Sequence, residues 1–201
     1  MKTKIAVFVS GGGTNLQALI DAQTAGAIPS GELALVLASN AGAYALERAA
    51  RAGIPTAVVS AKTEGSQAAA EARMNALLDE AGIRLIVLAG YMSILSEEFT
   101  ARWERRILNI HPSLIPAFCG KGYYGLRVHK EALRRGVKVT GATVHFVNEI
   151  PDGGEILLQQ PVEVLPQDTP EILQRRVMEQ AEWKLLPKAV EQVAKTLLEE
   201  T

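Results

Sequence analysis

The chain has 201 residues, of which 48% are hydrophobic, so it is long enough to bury the core of one domain. Its 21 basic and 22 acidic residues give a net charge of −1, which argues against nonspecific capture of nucleic acid by a basic surface. The single cysteine, Cys119, excludes an intramolecular disulfide and fits a reducing compartment. No apolar run reaches the ~20 residues of a membrane span, and the first strand is too brief for a signal-peptide core. We therefore expect a soluble cytoplasmic protein.

The first predicted elements are a buried strand and a helix joined by a glycine-rich turn. Residues 5–9 form a continuous apolar run, as in a central parallel strand that is buried on both faces. Residues 10–13 make the turn, and apolar residues then recur at helical spacing up to Gly26. Backbone N–H groups are unpaired at a helix start and the helix dipole is positive there, so this turn is suited to bind an anion.

The spacing within this turn does not identify the anion. A dinucleotide-binding fingerprint requires a third glycine where Leu16 stands, and an acidic residue after the strand at residues 33–37, where Ser39 and Asn40 stand. No Walker-type lysine follows the glycines either. A phosphate site and a glycine-rich turn without a ligand both remain open at this point.

The middle of the chain continues the alternation of helices and strands. A helix at residues 44–52, a strand at 56–59, a polar loop through Gly65 and a helix at 67–81 precede the clearest buried strand, at residues 85–90. Residues 91–95 then lead into a helix that Ser96 caps. This alternation predicts an α/β fold.

Two polar residues interrupt the apolar strand predicted at residues 107–111. Asn109 and His111 are two positions apart, so their side chains point to the same side of the strand. Pro112 cannot donate to a sheet ladder and favours an extended His111, so the strand should end there. Both polar groups then lie at the carboxyl edge of the sheet, where open α/β sheets bind ligands.

A candidate carboxylate, Asp152, follows the strand predicted at residues 137–147. The turn at 151–154 leads directly into another strand, at 155–164, and so short a connection makes the pair antiparallel and the sheet mixed. A carboxylate beside an imidazole raises the pKa of the ring, so Asn109, His111 and Asp152 would provide a hydrogen-bond donor, an acid/base and a group that tunes it. The alternative is that each is structural: a strand-end cap, a satisfied histidine and a turn residue.

The remaining segments carry weaker signals. Residues 117–125 form a loop with three glycines and three aromatic residues, which suits either a mobile cover over a site or a packed surface loop. A helix begins at His129, another begins near Pro170, and the C-terminal helical region is expected to be interrupted at Pro187. No set of residues has metal-ligand spacing, so we predict no metal.

Three stretches of the sequence resemble one known family, in the family's order. They are residues 10–19, 109–116 and 141–154, and they resemble the phosphoribosylglycinamide formyltransferases. The resemblance implies a Rossmann-like three-layer formyltransferase fold, with a mostly parallel sheet and an antiparallel C-terminal hairpin. It also implies a single domain over residues 1–201, with an N-terminal phosphate-binding part (about 1–100) and a C-terminal folate-binding and catalytic part (about 101–201).

The resemblance further implies an activity and its substrates. The family transfers the formyl group of 10-formyltetrahydrofolate to the amine of N1-(5-phosphoribosyl)glycinamide (glycinamide ribonucleotide) in de novo purine biosynthesis. The expected partners are therefore small molecules, with 10-formyltetrahydrofolate as co-substrate and without a metal, a nucleic acid or a membrane. A homodimer is compatible with this expectation.

Ligand contacts carry over from the family by position. For glycinamide ribonucleotide they are Gly13, Thr14, Asn15 and Glu182, and the spacing around Glu182 differs by one residue from several relatives. For the folate they are Met92, Ser93, Ile94, Leu95, Asn109, Asn148, Glu149, Ile150 and Pro151. The chain departs from the family at Gln67, where relatives carry a basic residue, and at Ser93, where they often carry Arg.

The same resemblance makes Asn109, His111 and Asp152 the catalytic residues. We expect Asn109 to donate to the oxyanion of the tetrahedral intermediate, and His111, in its charged form, to donate a hydrogen bond or a proton. Asp152 would keep His111 protonated, and His145 would support the set without touching the substrate. The alternatives are a formyltetrahydrofolate hydrolase, which resembles the chain from Asn109 onward, and a nonenzymatic folate- or nucleotide-binding protein.

Overall fold

The computed structural model describes residues 2–200. Within that range, no helix combines the length and the apolar composition needed to cross a membrane. The elements, in chain order, are β1 (Thr3–Val9), α1 (Thr14–Thr24), β2 (Gly31–Ala38), α2 (Ala45–Arg51), β3 (Thr56–Val58), α3 (Ala61–Glu64), α4 (Gln67–Ala81), β4 (Leu85–Leu88), α5 (Glu97–Arg102), β5 (Ile107–His111), α6 (Leu126–Arg135), β6 (Val139–Phe146), β7 (Ile156–Glu163), α7 (Pro170–Val177), a π turn (Met178–Glu182) and α8 (Trp183–Glu199).

The strands form one seven-stranded sheet in the order β3-β2-β1-β4-β5-β6-β7. Strands β1 to β5 are parallel to one another, whereas β6 is antiparallel to both β5 and β7. The predicted mixed sheet with an antiparallel C-terminal hairpin is therefore confirmed.

Helices cover both faces of this sheet because the side chains of its central strands alternate. On β1, Ile5 and Val7 pack on the face covered by α1 and α8, and Ala6 and Phe8 pack on the face covered by α4 and α5. All four side chains are fully buried. The result is the three-layer arrangement expected for a continuous apolar strand.

The segment predicted as a polar loop up to Gly65 contains the short helix α3. Its first turn is closed by a reciprocal pair: the Ser60 hydroxyl accepts from the Thr63 N–H at 3.2 Å, and the Thr63 hydroxyl accepts from the Ser60 N–H at 3.0 Å. No residue of α3 is buried. Because capping rather than an apolar stripe forms this helix, a search for hydrophobic periodicity missed it.

The prediction that Pro187 interrupts the C-terminal helical region is wrong. Pro187 lies inside α8, and the break in α-helical geometry comes earlier, at the π turn. A proline ring clashes with the carbonyl four residues before it, here that of Trp183, the first residue of α8. The π turn ends at Glu182, directly before this residue, and Pro187 is buried inside α8.

The carboxyl ends of three parallel strands lie at one level of the sheet. Phe8 of β1 pairs with Leu88 of β4, and Leu88 pairs with Asn109 of β5. Strand β5 continues to His111, so Asn109 lies level with the last residue of β4 and His111 lies beyond it. Their predicted position at the carboxyl edge of the sheet agrees with this register.

Candidate active site

A cavity of about 640 Å³ opens at this edge of the sheet. Its walls come from the turn after β1, the segment after β4, the end of β5, the loop before α6, the connection between β6 and β7, and the π turn. Every residue predicted to contact a substrate or to act in catalysis lines it: Gly13, Thr14, Asn15, Met92, Ser93, Ile94, Leu95, Asn109, His111, Asn148, Glu149, Ile150, Pro151, Asp152 and Glu182.

Asn109 lies beside His145 in the antiparallel ladder, because the two residues are paired across β5 and β6. The Asn109 Nδ2 atom is 3.1 Å from His145 Nε2 and 3.4 Å from Asp152 Oδ1. His145 Nδ1 lies 2.8 Å from the Phe146 carbonyl and therefore carries the ring proton, so Nε2 accepts from Asn109. The expected supporting contact of His145 is thus a hydrogen bond to Asn109.

Asp152 reaches this pair from the connection between β6 and β7. Its Oδ2 atom is 3.4 Å from His111 Nδ1 and accepts a hydrogen bond from the Gly120 N–H at 2.8 Å. Burial acts to raise the pKa of Asp152, but His145, His111 and the Gly120 N–H together outweigh it and hold the pKa below its usual value. The carboxylate is therefore ionised at neutral pH.

The charged form expected for His111 is not the resting form of the ring. Only 4% of the residue is exposed, and this burial lowers its pKa, although Asp152 and the Phe118 carbonyl act in the opposite direction. The ring nitrogens nevertheless face two acceptors, Asp152 Oδ2 on one side and the Phe118 carbonyl at 2.9 Å on the other. The neutral ring satisfies one of them, and only a protonated ring satisfies both.

The turn after β1 leaves the start of α1 uncapped by side chains. Gly13 occupies the N-cap position with φ of 71°, and a Cβ atom there would lie 2.6 Å from the Cβ of Ala45. Arg48 of α2 donates from Nε to the Gly12 carbonyl at 2.8 Å and so fixes the turn from behind. The backbone N–H groups at the start of α1 therefore remain available to an anion.

Asn15 and Glu182 form a buried pair between this turn and the π turn. Asn15 donates from Nδ2 to Glu182 Oε2 at 2.7 Å, so its side-chain amide is committed to the carboxylate. Burial raises the pKa of Glu182 to about 7, against the effect of the Asn15 hydrogen bond. Glu182 is the last residue of the π turn, which takes up one more residue than an α turn.

The segment after β4 provides an apolar wall with backbone polar groups. Met92 and Ile94 are 53% and 65% exposed, and across the cavity mouth Ile150 is 57% exposed. The Ser10 hydroxyl accepts from the Met92 N–H at 2.9 Å and from the Ser39 hydroxyl at 2.7 Å. A wall of exposed apolar side chains suits a flat heterocycle.

This geometry matches a known family. The formyl transferase family model matches residues 3–190. A phosphoribosylglycinamide formyltransferase from Haemophilus influenzae is 45% identical over 184 residues, which are 92% of this chain and 84% of that protein. The chain belongs to the phosphoribosylglycinamide formyltransferase family.

Two further relatives agree with this assignment to the phosphoribosylglycinamide formyltransferases. The structure of glycinamide ribonucleotide transformylase 1 from Symbiobacterium toebii is 42% identical with a TM-score of 0.89, and the match covers 97% of this chain and 89% of that one. The predicted formyltransferase fold is therefore confirmed. The trifunctional purine biosynthetic protein adenosine-3 of Gallus gallus is 46% identical over 193 residues, and this chain spans 18% of its length.

Gln67 stands where the resemblance to the family leads us to expect a basic residue. Its side-chain amide donates to the Ile94 carbonyl at 3.1 Å and to Glu71 Oε1 at 3.0 Å. Glu71 in turn accepts from the N–H and the hydroxyl of Ser96. Gln67 thus supports the backbone of the apolar wall and adds no charge to it.

Sequence reasoning missed two groups that line or support the cavity. His129 is fully buried beside it, neither ring nitrogen has a hydrogen-bond partner among residues 2–200, and burial lowers its pKa to about 4. The Phe118 carbonyl, which accepts from His111, belongs to the loop before α6. The position of His129 near the start of an amphipathic helix was a usable signal, whereas a backbone carbonyl leaves none in the sequence.

Within the described part of the chain, no group of three or more His, Cys, Asp or Glu side chains is placed to hold a metal ion. Cys119 is also not set up as a nucleophile, because burial raises the pKa of its thiol and its sulfur lies 3.2 Å from the Pro116 carbonyl. The titratable side chains that approach Asp152 are two histidines, His111 and His145.

Proposed function

We propose that this chain transfers the formyl group of 10-formyltetrahydrofolate to the amine of N1-(5-phosphoribosyl)glycinamide, giving formylglycinamide ribonucleotide and tetrahydrofolate in de novo purine biosynthesis. The observation that carries the proposal is the convergence of Asn109 and His111 on Asp152, each at 3.4 Å, in a cavity that also contains an uncapped helix start. An amide, an imidazole and a carboxylate beside an anion site are the groups that acyl transfer to a phosphorylated amine requires.

The two substrates would occupy opposite parts of the cavity. The ribonucleotide phosphate binds at Gly13, Thr14 and Asn15 through backbone N–H groups, since the Asn15 side chain is held by Glu182. Glu182 then faces the ribose or the glycinamide end. The folate binds along the apolar wall and the facing connection, through Met92, Ser93, Ile94, Leu95, Asn109, Asn148, Glu149, Ile150 and Pro151.

The reaction requires a new oxyanion and two proton movements. The amine nitrogen attacks the formyl carbon, a C–N bond forms, and the carbonyl electron pair moves onto oxygen. Collapse of this intermediate breaks the bond between the formyl carbon and N10 of the folate. The amine loses a proton and N10 gains one, so the site must stabilise an anion and pass a proton.

Each catalytic side chain then has one task. Asn109 donates an N–H to the oxyanion in place of its longer contact with Asp152. His111 begins neutral and takes up the proton that the amine loses as negative charge develops, because the protonated ring meets an acceptor at both nitrogens. Asp152, ionised at rest, stabilises the protonated ring and, with an ordered water, passes the proton from the amine to the ring and on to N10.

The wider setting follows from the same proposal. Both substrates are soluble metabolites, so we place the protein in the cytoplasm, with small molecules rather than nucleic acid or membrane as partners and without a metal. We also propose a homodimer. Light scattering on the purified protein checks the assembly, and a mass equal to one chain would contradict the dimer.

One assay tests the activity and separates it from hydrolysis of the folate. The protein is mixed with 10-formyltetrahydrofolate in the presence and in the absence of glycinamide ribonucleotide, and tetrahydrofolate is measured with formylglycinamide ribonucleotide. We expect both products in equal amounts, and only when the amine is present. Equal tetrahydrofolate release without the amine would identify a formyltetrahydrofolate hydrolase. No release in either case would favour the alternative of a nonenzymatic folate- or nucleotide-binding protein.

A further inference from the structure

The side chains that line the cavity carry more negative than positive charge, although both ligands proposed for it are anions. Glycinamide ribonucleotide carries a phosphate, and the folate carries the carboxylates of its glutamate tail. Three acidic residues line the cavity: Glu149, Asp152 and Glu182. Among the described residues of its lining, Lys121 is the one lysine or arginine. A single side chain therefore carries the fixed positive charge available to two anionic ligands.

Lys121 stands at the tip of a defined turn. The Tyr123 N–H donates to the Gly120 carbonyl at 3.0 Å, which closes a four-residue turn with Lys121 in its second position. Gly122, in the third position, has φ of 87°, the value that a type II turn requires there and that favours glycine. The turn presents the Lys121 side chain outward instead of packing it into the protein.

Both ends of this turn are anchored. On one side the Gly120 N–H donates to Asp152 Oδ2 at 2.8 Å, which ties the turn to the catalytic carboxylate. On the other side the Tyr123 ring packs against Phe118 at 6.5 Å between centroids, and the Arg127 guanidinium lies 5.8 Å from the Tyr123 ring centre. Lys121 is thus held over the cavity by contacts that do not involve its own ammonium group.

The ammonium group of Lys121 is free to meet a ligand. It forms no salt bridge with any acidic residue in the range 2–200, and the side chain is exposed. The oxygens of Asp152, which lines the same cavity, already contact Asn109, His111 and Gly120. We infer that Lys121 binds the anionic group of a substrate, a phosphate or a folate carboxylate, and so sets affinity for that substrate. This inference rests on the proposed function.

Direct binding tests it on the full chain. Dissociation constants for glycinamide ribonucleotide and for tetrahydrofolate are measured by calorimetry with wild type, Lys121→Gln, Lys121→Arg and, as a matched control, Lys188→Gln on the exposed side of α8. We expect Lys121→Gln to weaken one ligand by about fivefold and to remove the salt dependence of its binding, as for a partly exposed ion pair. Lys121→Arg and the control should bind like the wild type.

Truncated ligands identify the anion. A loss confined to glycinamide ribonucleotide, and absent with the dephosphorylated riboside, assigns the phosphate. A loss confined to tetrahydrofolate, and absent with tetrahydropteroate, assigns the glutamate tail. Unchanged dissociation constants for both ligands in Lys121→Gln, or an equal loss in the control, would overturn the inference. A wild-type protein that binds neither ligand would instead refute the proposed function, so the two failures are distinct.

Discussion

At the scale of single residues, the contacts of the Asn109 amide position it for its proposed role as a hydrogen-bond donor to the oxyanion. Its hydrogen bond to His145, at 3.1 Å, fixes the orientation of the side chain, and its contact with Asp152, at 3.4 Å, is long enough to be given up. The second N–H can therefore turn to a developing oxyanion without the loss of a strong hydrogen bond. Such donors act in the transition state and contribute little to the ground state.

We expect Asn109→Ala to lower kcat by about 100-fold or more, because loss of one oxyanion donor typically costs ~3 kcal/mol of transition-state stabilisation. The KM for glycinamide ribonucleotide should change little, since its phosphate binds elsewhere in the cavity. Steady-state kinetics with both substrates measure this effect, and circular dichroism checks that the fold is retained. An Asn109→Ala enzyme with wild-type kcat would show that the amide has no part in the chemistry.

Asp152 provides the second prediction at this scale. Its carboxylate opposes the effect of burial on His111, so Asp152→Asn should lower the pKa of His111 further. Turnover should fall by about 100-fold or more, because the protonated ring loses the charge that stabilises it. An NMR titration of the His111 ring in both proteins measures the shift. Identical titration of His111 in the two proteins would disprove the coupling.

At the scale of elements, the turn between β1 and α1 depends on one glycine more than on its neighbours. Gly13 combines φ of 71° with a close approach to Ala45 on α2, so the turn and the packing of α1 against α2 share this position. Gly12 has an ordinary φ, and a Cβ atom added to it would have no heavy atom of another segment within 4 Å. Two adjacent glycines in one turn therefore carry different constraints.

Gly13→Ala should lower the free energy of unfolding by about 1–3 kcal/mol, because alanine in a left-handed conformation is strained and its methyl group would displace Ala45. Gly12→Ala is the matched control and should change stability by no more than about 0.5 kcal/mol. Urea denaturation followed by fluorescence measures both. Equal destabilisation by the two substitutions would mean that the turn lacks this distinction.

Elements with strong local signals could be predicted from the sequence, and those set by tertiary contacts could not. The strand that contains Asn109 was predicted from side-chain alternation, and the hairpin whose connection contains Asp152 was predicted from its short length. The family resemblance predicted that the two residues belong to one site. The prediction at Pro187 was wrong because the helix geometry around a proline, including the π turn before α8, depends on tertiary structure. The sequence predicted a charged His111 because it shows the nearby carboxylate Asp152. It does not show how deeply the ring is buried, and burial lowers the pKa of His111.

At the scale of the whole molecule, we propose that the chain forms a single domain. One sheet runs through it, and α8 near the C-terminus packs on strands from both halves, so the two halves share the core on that face of the sheet. The turn proposed to bind phosphate belongs to the N-terminal part and the proposed catalytic groups to the C-terminal part, whereas the proposed folate site draws on both. A single-domain protein of this kind should unfold in one cooperative transition, so one free energy of unfolding describes its stability at each pH.

Glu182 should make stability decrease as the pH rises. Its pKa increases from 4.5 in the unfolded chain to about 7 in the folded protein, so its contribution is full below pH 4.5 and is lost as the pH rises to about 7. Relative to wild type, Glu182→Gln should therefore become more stable across this window, by as much as ~3 kcal/mol. Thermal unfolding of both proteins at several pH values measures the difference. A difference independent of pH would contradict the raised pKa.

His129 acts on stability in the opposite direction but does not disturb this comparison. Its pKa falls from 6.5 in the unfolded chain to about 4 in the folded protein, so stability is lost as the pH drops through that range. Both proteins contain His129, and its contribution cancels in their difference. Only the carboxyl group at position 182 distinguishes them.

The Ser10 hydroxyl joins the turn after β1 to the segment after β4, because the same oxygen accepts from Ser39 and from the Met92 N–H. A shift of either segment when its ligand arrives changes the hydrogen bonding of the other. The two substrates should then bind with heterotropic cooperativity. By thermodynamic reciprocity, whatever factor the ribonucleotide imposes on the affinity for folate, the folate must impose on the affinity for the ribonucleotide.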